Sequence, residues 1–172
     1  AAEIISSFFH DLYRHLAGNP LATHWVDDTP FNILHAKNLL RLFPQLRLAH
    51  IFRHPMDVVA SYRTKAWGGT EAGMIANRLA NILHRWEQVR VSLPRDIVLE
   101  IKLESLVENP KETLAEISTF AGIDMDASLM DAANYLGAEK AHIGRWKKDL
   151  SGDEADTCRQ LLGPFMDAYD DA

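Results

Sequence analysis

The chain has 172 residues, of which 47% are hydrophobic and 24% charged, and its net charge is −6. That length suits one domain with a sizeable core, and the acidic balance disfavours a nonspecific nucleic-acid binder. The one cysteine, Cys158, excludes an internal disulfide and points to a reducing, cytoplasmic setting, while no apolar run approaches the ~20 residues of a membrane span and no basic-then-apolar leader is visible.

Residues 3–17 carry Ile4, Ile5, Phe8, Phe9, Leu12 and Leu16 at helical spacing, and Gly18-Asn19-Pro20 ends that helix. The helix has no start signal, so the chain reads as entering in mid-domain. His24-Trp25-Val26-Asp27-Asp28 predicts a short strand. Thr29-Pro30 predicts an N-cap with proline at the first helical position, and the helix then runs through Ile33, Leu34, Leu39, Leu40 and Phe43 to a stop at Pro44. Leu46 to Phe52 is a short apolar run without helical spacing, which predicts a strand buried on both faces as in a parallel sheet. Pro55 suits the first turn of the next helix, and Asp57 complements the helix dipole there. Arg53 therefore falls at the carboxyl end of a strand, where open α/β sheets bind ligands. A guanidinium, helix N–H groups and the Ser61 hydroxyl together suit a phosphate.

Gly68-Gly69 breaks that helix. Thr70 is the expected cap of a long helix with Ile75, Leu79, Ile82, Leu83, Trp86 and Val89 on one face. Leu93-Pro94-Arg95-Asp96 predicts a turn and Ile97 to Leu103 another strand. Asn109-Pro110 starts a helix that Gly122 closes, and a short helix is expected near 126–136. Residues 137–150 read as irregular and rich in cations. Ser151 with Glu154 is a capping box for a last helix carrying Cys158, Leu161, Leu162, Phe165 and Met166. Strands alternate with helices, so the class is α/β with a parallel sheet, in a single domain over 1–172. Three strands are too few to cover the 46–52 run. That predicts further strands N-terminal to Ala1 and an exposed core edge that favours association. The histidines are scattered without metal-ligand spacing, so no metal is expected.

Four segments in order resemble sulfotransferases that use 3′-phosphoadenosine-5′-phosphosulfate (PAPS). Phe52-Arg53-His54-Pro55-Met56-Asp57-Val58-Val59-Ala60-Ser61-Tyr62 is similar to the family's 3′-phosphate segment, with Arg53 and Ser61 at its spacing. Trp25 to Pro30, with the helix ending at Phe43-Pro44, resembles the Lys-Thr-Pro segment. Leu103-Glu104-Ser105-Leu106 with Asn109-Pro110 resembles the Tyr-Glu-Asp-Leu strand and its helix. Lys140-Ala141-His142-Ile143-Gly144-Arg145-Trp146-Lys147 resembles the late loop that closes over the nucleotide.

The resemblance, over roughly residues 22–150, implies a P-loop-like three-layer fold and sulfuryl transfer from PAPS to a hydroxyl or amine acceptor. It implies that Arg53 and Ser61 hold the 3′-phosphate, with Lys140 and Gly144 near it and Arg145 and Lys147 as supporting cations. Asp28 is the candidate general base; the alternative is a carboxylate that caps the next helix or pairs with Arg53. The chain departs from the family in four respects. The Gly/Ser/Thr-rich loop for the 5′-phosphosulfate has no counterpart here. Asp28 stands where the family has Lys, Leu103 where it has Tyr, and Glu139 where Arg is common. Two other readings stay open: a non-catalytic nucleotide-binding or interaction domain of the same fold, and another P-loop-type enzyme such as a kinase.

Overall fold

The computed structural model describes residues 2–18, 21–136 and 143–167. Helix α1 (Ala2–Leu16) is followed by a 3₁₀ turn at Pro30–His35 that runs into α2 (Ala36–Leu42). Strand β1 (Leu48–Phe52) leads to α3 (Pro55–Arg63) and α4 (Ala72–Arg90), and β2 (Val98–Lys102) follows a 3₁₀ turn at Arg95–Ile97. Then come α5 (Leu103–Glu108), α6 (Pro110–Ala121), α7 (Ala127–Leu136), α8 (Trp146–Asp149) and α9 (Gly152–Leu162).

The class is α/β. β1 and β2 pair in parallel, with Leu48 beside Val98 and Phe52 beside Lys102. Parallel neighbours need a crossover, and α3 with α4 supplies it. The amphipathic stripe of α4 organises the interior. Its Ile75 and Ala76 pack with Met56 and Val59 of α3 and with Cys158 and Leu162 of α9. About three turns further on, Trp86 packs with Leu48, Ala36 and Ile97. A third cluster joins Ile101 of β2 to Leu106, Leu114 and Ala133. Leu162 is fully buried, so truncating it to Ala costs about 2–5 kcal/mol.

Local signals place several elements as expected. Ser151 Oγ accepts the Glu154 N–H while the Glu154 carboxylate accepts the Ser151 N–H, the reciprocal capping box. Gly122 closes α6 in the left-handed region at φ 73°.

Other expectations need correction. Residues 24–28 are not a strand. Instead, side chains hold the segment: the Trp25 ring stacks on Tyr13 of α1 at 4.4 Å and meets Phe43 edge-on at 5.3 Å. β1 is not buried on both faces, since Leu48 is buried but Ile51 is 50% exposed. Among the described residues β1 has β2 as its one strand neighbour, which leaves its other edge without a sheet partner. α3 ends at Arg63, before Gly68-Gly69, and the N-cap of α4 is Glu71 rather than Thr70. The Thr29 side chain makes no capping hydrogen bond. Thr29 still stands at the N-cap ahead of Pro30, and Asp27 Oδ1 accepts from the Thr29 N–H at 2.9 Å and from Asn32 Nδ2 at 3.0 Å. Among the described residues no helix is long and apolar enough to cross a membrane.

Candidate functional site

The site is built where β1 ends and α3 begins. Arg53 follows the last residue of the strand, and its side chain is 17% exposed. His54 turns the chain into the helix as its N-cap, with Nδ1 accepting the Met56 N–H at 3.2 Å. Pro55 at the next position has no N–H to satisfy. The Asp57 and Val58 N–H groups both donate to the His54 carbonyl. The opening N–H groups of α3 are therefore already partnered, which corrects the expectation that they point at an anion. The guanidinium of Arg53 is the charge placed there.

Asp57 is the buried centre of the arrangement, with a fully inaccessible side chain. Its Oδ2 lies 3.6 Å from Arg53 Nη2 and accepts the Gly144 N–H at 2.7 Å. Its Oδ1 accepts the Trp146 N–H at 3.0 Å. One carboxylate thus orients Arg53 and holds the segment at 143–149 against the start of α3. A buried carboxylate persists only when its oxygens are matched in this way. The Trp146 ring lies parallel to the His54 ring at 6.0 Å and closes the same contact from above, while the Arg159 guanidinium sits 5.2 Å from its centroid.

Glu104 braces the turn from the other strand. It stands two residues beyond the end of β2, and its Oε1 accepts the His54 N–H at 2.9 Å. Its Oε2 is buried without a hydrogen-bond partner among the described residues. Arg53 is thereby set between the Asp57 carboxylate of α3 and a turn held by Glu104 in the first turn of α5.

The structure distributes the remaining candidates unevenly. Ser61 is half-buried in the last turn of α3, four residues after Asp57 and so on the same helix face. Gly144 is brought directly to the site, where its N–H donates to Asp57 Oδ2. Arg145 Nε pairs with Asp149 Oδ2 at 2.7 Å inside its own helical turn. Lys147 is exposed, with Nζ 5.9 Å from the Trp146 ring centroid. Asp28 is exposed and makes no hydrogen bond or ion pair among the described residues. Lys140 and Glu139 lie outside the described residues.

Three working residues escaped the sequence reading. Asp57 read as a dipole partner, His54 as a turn residue and Glu104 as part of a strand motif. Asp57 and His54 did carry a local signal, since both flank a proline at a helix start. Their long-range partners carried none. Among the described residues no group of three or more His, Cys, Asp or Glu side chains is arranged to hold a metal ion.

Chemically, the arrangement offers a pre-oriented guanidinium at the carboxyl end of a parallel strand, in a turn clamped from both sides. Such a cation binds an oxyanion with little reorganisation. No curated protein matches the chain. A family model described as Sulfotransferase family matches residues 1–127, which include β1, Arg53, α3 and β2.

Proposed function

Because the chain belongs to the sulfotransferase family, we propose that it takes part in sulfuryl transfer from PAPS to a hydroxyl or amine acceptor, with Arg53 as the cation that holds the 3′-phosphate of the donor. In the reaction the acceptor oxygen or nitrogen attacks sulfur and a new bond to sulfur forms. The bond from sulfur to the 5′-phosphate oxygen breaks, and adenosine 3′,5′-bisphosphate leaves with that electron pair. The acceptor proton passes to a base, for which Asp28 is our candidate.

The observation that carries this reading is the Arg53–Asp57 pair at 3.6 Å at the end of β1. Asp57 fixes the guanidinium before ligand arrives, and pre-organisation of this kind lowers the ordering cost of binding. Ser61, one turn beyond Asp57, is the hydroxyl we assign to the same phosphate. Lys140, Arg145 and Lys147 are the cations we assign around it, and Gly144 lies in the turn that leads into Arg145 and Lys147. Asp28 is available for the proton because Asp27 takes the hydrogen bonds from Thr29 and Asn32 beside it.

Calorimetry with adenosine 3′,5′-bisphosphate, adenosine 5′-monophosphate and ATP tests the donor assignment. The bisphosphate should bind tightest. Arg53→Ala should weaken it by about tenfold or more, as expected for a charge-assisted contact, with little effect on the monophosphate. Equal losses for the two nucleotides, or a preference for ATP, would overturn the assignment in favour of a kinase-like site.

A further inference from the structure

A second site lies away from Arg53, on the outer face of α4. There a groove of about 420 Å³ runs between the helix and the 3₁₀ turn at Pro30–His35. That volume is in the range of small-molecule sites. α4 contributes Met74, Asn77, Arg78, Asn81, Ile82 and Arg85 to the groove, a spacing that places all six on one helix face. Phe31 and Leu34 of the 3₁₀ turn form the facing wall.

Three observations define what fits. Met74 is 70% exposed and Phe31 49% exposed, so an apolar surface faces solvent here without a covering element. Arg78 and Arg85 line the same groove, and among the described residues neither makes a hydrogen bond or ion pair. Finally, the chain has 24 acidic against 18 basic residues, yet no carboxylate lines the groove. An acid-free groove with two unpaired guanidiniums on an acidic chain selects for anions. Arg78 and Arg85 are seven residues apart, which is two helical turns and about 10 Å along the axis.

We propose that this groove binds an elongated amphipathic dianion with an anionic group at each end, one on Arg78 and one on Arg85, its apolar middle lying over Ile82 against the wall of Phe31 and Leu34. Asn81 supplies a carboxamide between the two. The site does not depend on the sulfuryl-transfer reading, and its test uses binding alone.

The probe is para,para′-biphenyldicarboxylate, a rigid apolar rod with a carboxylate at each end. It is titrated by calorimetry into the full chain, with the corresponding diol and diamine as controls. The dianion should bind saturably and competitively with salt, and both controls should bind at least about tenfold more weakly. Arg78→Gln and Arg85→Gln should each weaken the dianion about tenfold while leaving adenosine 3′,5′-bisphosphate binding unchanged. Met74→Glu places a carboxylate one turn before Arg78, where it pairs with that guanidinium; because Met74 is exposed, dianion binding should weaken about tenfold with an unchanged melting temperature. Equal binding of dianion, diol and diamine would overturn the proposal, as would an unchanged affinity in both arginine variants. A dimer in sedimentation that Met74→Glu dissociates, without dianion binding, would also overturn it and make the groove an interface between copies.

Discussion

Asp57 Oδ2 accepts the N–H of Gly144 at 2.7 Å, joining residues 87 apart in the chain. The same carboxylate holds the Trp146 N–H and the Arg53 guanidinium, so one buried side chain couples the start of α3 to the segment that closes against it. Asp57→Asn keeps the volume but removes the charge and replaces one acceptor oxygen with a donor. Two N–H groups and one guanidinium then compete for a single carbonyl oxygen. We expect a loss of about 2–4 kcal/mol in urea unfolding. The Gly144 and Trp146 amides should exchange faster with solvent than in the parent chain. A change under about 0.5 kcal/mol, the usual range for inert surface positions, would show that the coupling carries no stability.

Gly144 is tied to this contact by its backbone. Its φ of 71° lies in the left-handed region, and a Cβ built there meets no atom of the described residues within 4 Å. The cost of Gly144→Ala is therefore conformational and not steric, about 1 kcal/mol, and Gly144→Asn should cost less. Equilibrium unfolding of the two variants separates these outcomes. A loss in Gly144→Ala far above that figure would mean that space also limits the position.

Glu100 gives the fold an acid-sensitive element. It stands opposite His50 in the strand register, and their side chains meet at 3.3 Å. That hydrogen bond, chiefly, holds the carboxyl below the usual range; burial opposes it, and Trp86 Nε1 at 3.2 Å and Arg90 at 3.4 Å add to the lowering. A depressed carboxyl stabilises the fold fully above its unfolded pKa of about 4.3, and that contribution disappears as pH falls through the lower folded value. The stability difference between the parent chain and Glu100→Gln should be largest near neutral pH and should shrink as the pH is taken to about 3. A difference that grows on acidification would reverse the sign assigned here.

Cys158 should be inert in the native state. It is fully buried on the face of α9 that packs against α3 and α4. Burial, and secondarily the Glu154 charge, pushes its thiol above the ordinary range. The thiolate is the reactive form. Because the chain has one cysteine, alkylation with iodoacetamide reads this site alone. Labelling should be negligible in buffer and complete in denaturant, and rapid labelling of the native chain would show that α9 opens readily.

Much of the fold was legible where the physics is local. The Ser151–Glu154 box, the Asn109-Pro110 start and Gly122 stop of α6, and the apolar stripe of α4 all arise from hydrogen bonds or periodicity within a few residues. The strand at 24–28 was misread because an apolar and aromatic pattern there serves ring packing onto α1, which leaves no mark different from a strand's. Thr29 stands at the N-cap ahead of Pro30 as its residue type predicts, although its side chain makes no capping bond, whereas the N-cap of α4 falls at Glu71, one residue past Thr70.

The sequence by itself determined the class, the strand-to-helix turn after Phe52 and the position of Arg53 at that turn. Those follow from side-chain spacing and from proline's fixed backbone. Only the tertiary structure decided what surrounds the guanidinium. The partners of Asp57 lie at 144 and 146, and the clamp on His54 comes from Glu104 beyond the neighbouring strand. A buried carboxylate must find donors wherever the fold brings them, and across 87 residues no local spacing records which ones it will find.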